Sequence, residues 1–350
     1  MPVLPIDIDR FFELTNLLVI DVRSPKEYHH AHIPTAISIP LFSDEERAIV
    51  GTAYKQVSRE AAIKYGLDFF GPKMRRIVEQ VERLQSEKST KEVIVHCWRG
   101  GMRSAAVAWL LDVYGFKVYT IIGGYKSFRN KVITILGEDR PYTILGGYTG
   151  SAKTEILQSI KKQKAEVIDL EGIAHHKGSA FGAIGQPAQP SQEMFENILA
   201  LALKESDKKN KPIWLEDESQ RIGTLNIPAQ MWEIIRKKTV VFVDIDFEKR
   251  LEHIQQTYGK LNKGDLAAAI VRIKKRLGGL ETKTALNYLT EDNTKECFRI
   301  LLTYYDKLYH KALLNRPDPK PVTLYVKPEI SEHKEIGRLI LNTAKDLYGK

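Results

Sequence analysis

A short glycine-rich stretch constrains the fold of this chain more than any other part of the sequence. Residues 143–146 read T-I-L-G, an apolar strand, and 147–154 read G-Y-T-G-S-A-K-T before a helical pattern over 155–162. A strand, a glycine-rich loop and a helix in this order form a P-loop, whose backbone N–H groups and lysine wrap a phosphate. The pattern therefore predicts an α/β domain with a parallel sheet.

This loop departs from the usual P-loop sequence at one position, where Ala152 replaces the last glycine. We expect the replacement to tighten the loop and to favour diphosphate recognition over ordinary nucleotide hydrolysis. Lys153 would bridge the terminal oxygens, and Thr154 would bind phosphate or Mg²⁺. The predicted phosphate-binding residues are Gly147, Gly150, Ser151, Ala152, Lys153 and Thr154.

Acidic residues follow two further strand-like segments. E-V-I-D-L over 166–170 contains Asp169, and P-I-W-L-E-D-E over 212–218 contains Glu216 and Asp217. Ligands of parallel sheets bind at the carboxyl ends of the strands, so these residues could orient Mg²⁺ or act as acid or base. The alternative is that they only cap strand ends. A third strand is predicted over 239–245, a mostly helical region over 247–314, and an edge strand over 322–326.

A polar, glycine-rich segment follows the first of these acidic strands. It reads D-L-E-G-I-A-H-H-K-G-S-A-F-G over 169–182, and a helix is predicted to begin near Pro190. Loops of this composition are typical of substrate-binding flaps. The predicted flap residues are His175, His176, Lys177 and Ser179, of which the two histidines and the lysine would donate to phosphate or RNA. Catalytic histidines are the alternative.

The N-terminal part of the chain contains a second strand–loop–helix, centred on Cys97. E-V-I-V over 92–95 precedes H-C-W-R-G-G-M-R-S over 96–104, and an apolar helix follows. The helix N-terminus with Arg99 and Arg103 would favour a thiolate and bind an anion. A buried structural cysteine is the alternative, but two glycines and two arginines within six residues favour a reactive one.

The pattern along the chain predicts two α/β domains, residues 1–135 and 136–350. Strand-like segments at 17–23, 36–40, 92–95 and 118–122 alternate with helical ones, which indicates a parallel sheet with helices on both faces ahead of the P-loop sheet. The polar segment 137–141 reads as the end of a linker. A length of 350 residues suits two domains with helical additions to the second.

Composition excludes several classes of protein. Two cysteines far apart, Cys97 and Cys297, cannot form a disulfide framework or a cysteine-rich zinc site, and no histidine pattern predicts a metal site. Cys297 is predicted to be core. Neither a leader nor a membrane-length apolar run is present, so we expect a cytoplasmic protein without a membrane partner. The net charge of +9 suits RNA, with basic clusters at 208–211, 236–238 and 272–276.

The first domain resembles the rhodanese family over about residues 4–130. The matching residues are D-V-R-S-P-K-E-Y-x-x-A-H-I-P from Asp21 and the H-C loop. The resemblance implies that Cys97 carries sulfur or selenium. Five residues separate Cys97 from Arg103, one more than in typical sulfur-transferring rhodaneses, and this spacing resembles rhodanese-fold phosphatases. A cysteine phosphatase is therefore an alternative.

The whole chain resembles the tRNA 2-selenouridine synthase family. Besides both loops, it carries V-G-T-x-Y-K over 50–55, G-G-Y-K-S-F-R over 123–129, the segment 169–182 and E-D-E-S-Q-R-I-G over 216–223. The resemblance implies conversion of wobble 2-thiouridine in tRNA to 2-selenouridine, with selenophosphate as donor. It also implies an S-geranyl-2-thiouridine intermediate made from geranyl diphosphate.

On this hypothesis the two loops divide the chemistry. Cys97, Arg99 and Arg103 would handle selenium, while Lys153, Thr154 and Arg221 would hold the diphosphate, with no cofactor firmly implied beyond optional Mg²⁺. A third reading is a nucleotide-dependent RNA-binding protein with an inert rhodanese domain. The sequence does not indicate an oligomeric state.

Overall fold

The structure, a computed structural model, forms two compact units. It describes residues 3–14, 16–86, 90–316, 322–325 and 332–348. The first unit comprises residues 1–135 together with 196–201, and the second comprises the rest of the chain. Within the described residues, no helix has both the length and the apolarity to cross a membrane.

The first unit is built on a five-stranded parallel sheet with strand order β1-β5-β4-β2-β3. The central strand β4 is buried because V-I-V faces apolar neighbours on both sides. The strands are β1 (Leu4–Ile6), β2 (Leu18–Asp21), β3 (Ala36–Ser38), β4 (Glu92–His96) and β5 (Lys117–Ile121). The helices are α1 (Ile8–Glu13), α2 (Pro25–His30), α3 (Asp44–Gln56), α4 (Arg59–Phe70), α5 (Met74–Gln85), α6 (Met102–Tyr114) and α7 (Gly124–Gly137).

The second unit contains another five-stranded parallel sheet, with strand order β12-β11-β6-β8-β7. Its strands are β6 (Tyr142–Gly147), β7 (Glu166–Val167), β8 (Ile213–Glu216), β11 (Val240–Asp244) and β12 (Val322–Tyr325), and β9 (Arg221–Ile222) pairs separately with β10 (Leu225–Asn226). The helices are α8 (Lys153–Lys162), α9 (Leu170–Ala174), α10 (Gln192–Asp207), α11 (Ala229–Arg236), α12 (Phe247–Tyr258), α13 (Lys263–Leu277), α14 (Gly279–Thr290), α15 (Thr294–Leu314) and α16 (His333–Tyr348).

The fold class predicted from sequence is confirmed in both units. β6 lies at the centre of its sheet, so the loop that follows it opens at the carboxyl edge between β11 and β8. Residues 247–314 form four helices with their own apolar cluster, and Cys297 is buried there as expected.

The segment between α7 and β6 differs from the expected linker. It is only four residues long, and Arg140 is 5% exposed. The Arg140 guanidinium forms ion pairs with Glu138 at 2.6 Å and with Asp207 at 2.8 Å. These pairs fix the segment against the second unit, where a linker would be free in solvent.

Candidate functional site

The Cys97 loop is held from beneath by the start of α7. The Tyr125 N–H donates to the Cys97 carbonyl, and the Lys126 N–H donates to the Trp98 carbonyl, both at 2.9 Å. Gly124 has a φ of +59°, and a Cβ there would lie 2.4 Å from the Cys97 carbonyl oxygen. Only glycine permits this approach, which explains why a glycine pair precedes Tyr125 in the sequence.

The Cys97 thiol lies inside a small polar cradle. Its Sγ accepts from the Gly101 N–H at 3.3 Å and lies 3.3 Å from the Ser104 hydroxyl oxygen. Burial opposes ionisation, but the Ser104 hydrogen bonds, the charge of Arg103 and the Gly101 N–H outweigh it, so the pKa of Cys97 is lowered. The lowered pKa makes Cys97 more readily ionised than an ordinary buried cysteine.

The two predicted arginines play different roles. Arg103 is engaged by Glu27, with one nitrogen 2.7 Å from the carboxylate, so it supplies charge from a fixed position. Arg99 is exposed, and within the described residues it forms no ion pair. Arg99 is thus free to turn toward an anion at the sulfur. Sequence reasoning missed Glu27, although its place in the capping box of α2 was visible.

The P-loop follows β6 as predicted, and its unusual alanine keeps the backbone conformation of glycine. Ala152 has a φ of +54°, which costs an L-residue about 1 kcal/mol. Gly150 has a φ of +81°, and a Cβ there would lie 2.8 Å from the Arg250 carbonyl oxygen. Arg250 also donates to the Thr149 carbonyl at 3.0 Å, so α12 braces the loop. Ser151 is fully buried beneath it.

Lys153 and Thr154 face a cluster of three glutamates. The Lys153 ammonium donates to the Gly147 carbonyl at 3.1 Å and lies 3.4 Å from Glu216. The Thr154 hydroxyl lies 3.3 Å from both Glu171 and Glu216. Burial favours neutral Lys153, but the charges of the glutamates outweigh it and raise its pKa.

The three glutamates form a group with the chemistry of a divalent cation site. One carboxylate oxygen from each of Glu171, Glu216 and Glu218 lies within 4.8 Å of the other two. Burial raises the pKa of all three, that of Glu171 to about 8, and repulsion from neighbouring carboxylates raises each further. Carboxylate oxygens are the ligands that Mg²⁺ prefers, and its charge would relieve this repulsion, so the residues fit Mg²⁺. Glu171 and Glu218 were missed because their side chains converge only in the fold.

This cluster predicts an unusual dependence of stability on pH. Glu171 keeps its proton to about pH 8 when folded but only to about 4.5 when unfolded, so folding takes up protons and stability falls as pH rises between these values. The Glu218→Gln variant removes one carboxyl group whose pKa is raised in the same way. Without divalent cations, urea unfolding should show the variant gaining about 1–2 kcal/mol on wild type between pH 6.5 and 8. The exposed Glu252→Gln serves as control, and parallel pH profiles for all three proteins would contradict the prediction.

The other predicted acids have structural partners. Asp217 forms an ion pair with Arg316 at 2.5 Å and accepts from the Tyr309 hydroxyl at 2.7 Å. That hydroxyl in turn accepts from the Gly147 N–H at 3.2 Å, so Asp217 positions the start of the P-loop. Asp169 accepts from the Gly172 N–H at 2.8 Å and caps α9.

The predicted flap contributes only part of its polar residues to the site. Lys177 and Ser179 line a cavity beside the P-loop. His175 ends α9, and its ring lies 2.9 Å from the Ala188 carbonyl. His176 is 8% exposed and packs between glycines, and burial lowers its pKa. Neither histidine is among the cavity-lining residues, nor is Arg221, which donates to the Gly223 carbonyl at 2.9 Å.

A cavity of about 830 Å³ lies against the P-loop in the second unit. Its polar lining includes Lys153, Thr154 and the three glutamates. Its apolar lining, which we call the apolar wall, is supplied mainly by α12 and α15. Its apolar residues include Phe181, Tyr258, Phe298, Leu302, Tyr305 and Leu308. The cavity thus joins an anion-binding loop to a wall suited to a hydrocarbon chain.

Comparisons with known proteins agree with these two sites. Residues 7–131 match a rhodanese-like domain model, and residues 140–323 match the model described as the tRNA 2-selenouridine synthase AAA domain.

Three relatives bear the name tRNA 2-selenouridine synthase. The one from Shewanella halifaxensis is 33% identical, covering 86% of this chain and 90% of its own. The relative from Hydrogenovibrio crunogenus is 34% identical over 85% of this chain and 89% of its own length. The relative from Nitrosomonas europaea is 36% identical over 69% of this chain and 63% of its own length. Because both domain models match in order and relatives above 30% identity align over most of their length, this chain belongs to the tRNA 2-selenouridine synthase family.

Proposed function

We propose that this protein converts 2-thiouridine at the wobble position of tRNA to 2-selenouridine in two steps. The P-loop unit transfers a geranyl group from geranyl diphosphate to the sulfur, and the Cys97 unit delivers selenium from selenophosphate. The family membership supports the overall reaction. The observation that carries the division into two steps is the cavity, because it pairs a diphosphate cradle with an apolar wall.

In the first step, the thiouridine sulfur attacks the first carbon of the geranyl group. A carbon–sulfur bond forms while the carbon–oxygen bond breaks, and the diphosphate leaves with its new negative charge. Lys153 and the P-loop N–H groups stabilise that charge. Mg²⁺ held by Glu171, Glu216 and Glu218 would add positive charge beside the diphosphate.

In the second step, selenium from selenophosphate adds to carbon 2 of the base and expels geranyl thiol. Water then cleaves the phosphorus–selenium bond and releases phosphate. The lowered pKa of Cys97 and the nearby charges of Arg99 and Arg103 support its role in handling the selenium anion.

The apolar wall should determine how well the geranyl chain binds. Leu308 lines the cavity and is 41% exposed, so Leu308→Asp places a charge against the chain without disturbing the core. We expect the KM for geranyl diphosphate to rise about tenfold, while inhibition by inorganic diphosphate stays unchanged. Leu314→Asp, on the same helix but not lining the cavity, is the matched control. Equal KM values for both variants would show that the geranyl chain does not bind at this apolar wall.

The proposal is tested by supplying the substrates one at a time to 2-thiouridine tRNA. With geranyl diphosphate alone, nucleoside mass spectrometry should detect S-geranyl-2-thiouridine, and later selenophosphate should convert it to 2-selenouridine. Formation of 2-selenouridine with selenophosphate alone, at full rate, would contradict the two-step order. Hydrolysis of a generic aryl phosphate in place of either product would favour a phosphatase.

A further inference from the structure

The three basic clusters of the second unit differ in how the fold neutralises them. In the cluster 208–211, Lys208 pairs with Glu205 at 2.8 Å and Lys209 pairs with Glu166 at 3.0 Å. In the cluster 236–238, Lys238 pairs with Asp139 at 2.5 Å. Both clusters therefore have acidic neighbours that offset their charge.

The third cluster lies where α13 turns into α14 and keeps its charge exposed. Residues 271–283 contain five cations and one carboxylate, Glu281. We call this surface the α13–α14 corner; its exposed cations are Arg272, Lys274, Lys275, Arg276 and Lys283. Within the part of the chain that the structure describes, none of the five forms an ion pair.

Stabilisation of the α13 C-terminus through the helix dipole accounts for only some of these cations. Basic residues in the last turn of a helix offset its dipole, with a gain of about 0.3–1 kcal/mol each at most. Arg272 lies before the last turn of α13, and Lys283 lies on the next helix. Because Leu266, Ile270 and Leu277 are buried, the cations occupy the solvent side of α13.

Hydrogen bonds also connect the corner to residues that line the cavity beside the P-loop. Arg272 donates to the Ala180 carbonyl at 3.0 Å, and the Ala180 N–H donates to the Tyr305 hydroxyl at 3.3 Å. Tyr305 and the neighbouring Ser179 both line the cavity. A polyanion bound at the corner would therefore lie next to the flap over the site.

We propose that the α13–α14 corner binds the phosphate backbone of the tRNA substrate. This inference rests on the proposed function, which supplies a tRNA as the polyanion. Lysine and arginine side chains without carboxylate partners are the groups that release counterions when they contact phosphates, so binding here should be strongly dependent on salt.

The test compares two double variants that remove the same charge. Lys274→Gln with Lys275→Gln should weaken tRNA binding roughly 10–50-fold at 0.15 M KCl and lower the slope of log K against log[KCl] by about 2. Lys208→Gln with Lys209→Gln should change the affinity less than about twofold, because those lysines are already paired. Binding is measured by filter retention across a KCl series, and thermal melting checks that both variants are folded.

The outcomes separate the inference from the proposed function. Equal losses in both variants would mean that only net charge matters, and would overturn the assignment to the corner. Tight tRNA binding that is unchanged in the corner variant would also overturn it and would leave an acidic protein as the partner of this surface. If wild type itself bound no tRNA, the proposed function would fail together with the inference.

Discussion

Lys153→Ala is expected to reduce geranyl transfer by about 10³-fold or more while leaving delivery of selenium intact. The Lys153 ammonium lies between the P-loop carbonyl of Gly147 and Glu216, so on the proposed function it would face the leaving diphosphate. Removing a charge that stabilises a leaving group in a buried site costs at least as much as removing an oxyanion donor. Loss of geranyl transfer is measured by mass spectrometry of the tRNA nucleosides.

A control on the same helix distinguishes this effect from loss of folding. Lys161 lies on α8 and is exposed, so Lys161→Ala should keep wild-type geranyl transfer. Both variants should melt cooperatively, because the glutamates beside Lys153 take up protons when its charge is removed. Geranyl transfer at wild-type rate by Lys153→Ala would exclude the P-loop as the diphosphate site.

Cys97→Ala should have the opposite phenotype: 2-selenouridine falls below detection while S-geranyl-2-thiouridine accumulates. The sulfur is the only nucleophile held by the Gly101 N–H and the Ser104 hydroxyl among the described residues of this loop. Without this thiol, the loop no longer positions selenophosphate beside Arg99 and Arg103 for its attack on carbon 2. The ratio of geranylated to selenated nucleoside measures the effect.

The second cysteine provides the matched control. Cys297 is buried in the helical cluster, where burial raises the pKa of its thiol to about 11. Cys297→Ala should therefore retain both products, and iodoacetamide at neutral pH should label Cys97 in preference to Cys297 in the native protein. Loss of selenation in both variants would point to a structural effect of thiol removal.

Local sequence patterns were sufficient to predict the fold and both loops. Glycine, lysine and cysteine at fixed spacings between an apolar strand and a helix depend only on neighbouring residues, so Cys97 and Lys153 could be placed without a structure. Even the alanine of the P-loop was visible, although its left-handed backbone was not. The grouping of residues 196–201 with the first unit had no local signal.

Residues that act through distant partners could not be assigned in this way. Asp217 was predicted as an acid or a magnesium ligand, but its partner Arg316 lies 99 residues further along the chain. His176 was predicted as a donor, yet its buried ring packs between Gly182 and Gly223. Conversely, Glu171 and Glu218 became part of the site only where α9 meets the loop after β8. The roles of these residues depend on partners that are distant in sequence, and a local sequence pattern cannot predict such contacts.

The most direct test of two separate steps transfers the intermediate between the two inactive variants. S-geranyl-2-thiouridine tRNA made by Cys97→Ala is purified and given to Lys153→Ala with selenophosphate, and the nucleosides are analysed by mass spectrometry. We expect 2-selenouridine at close to the wild-type rate, because Lys153→Ala lacks only the step already completed. Persistence of the geranylated nucleoside would contradict it and would mean that the P-loop and Cys97 act in the same step.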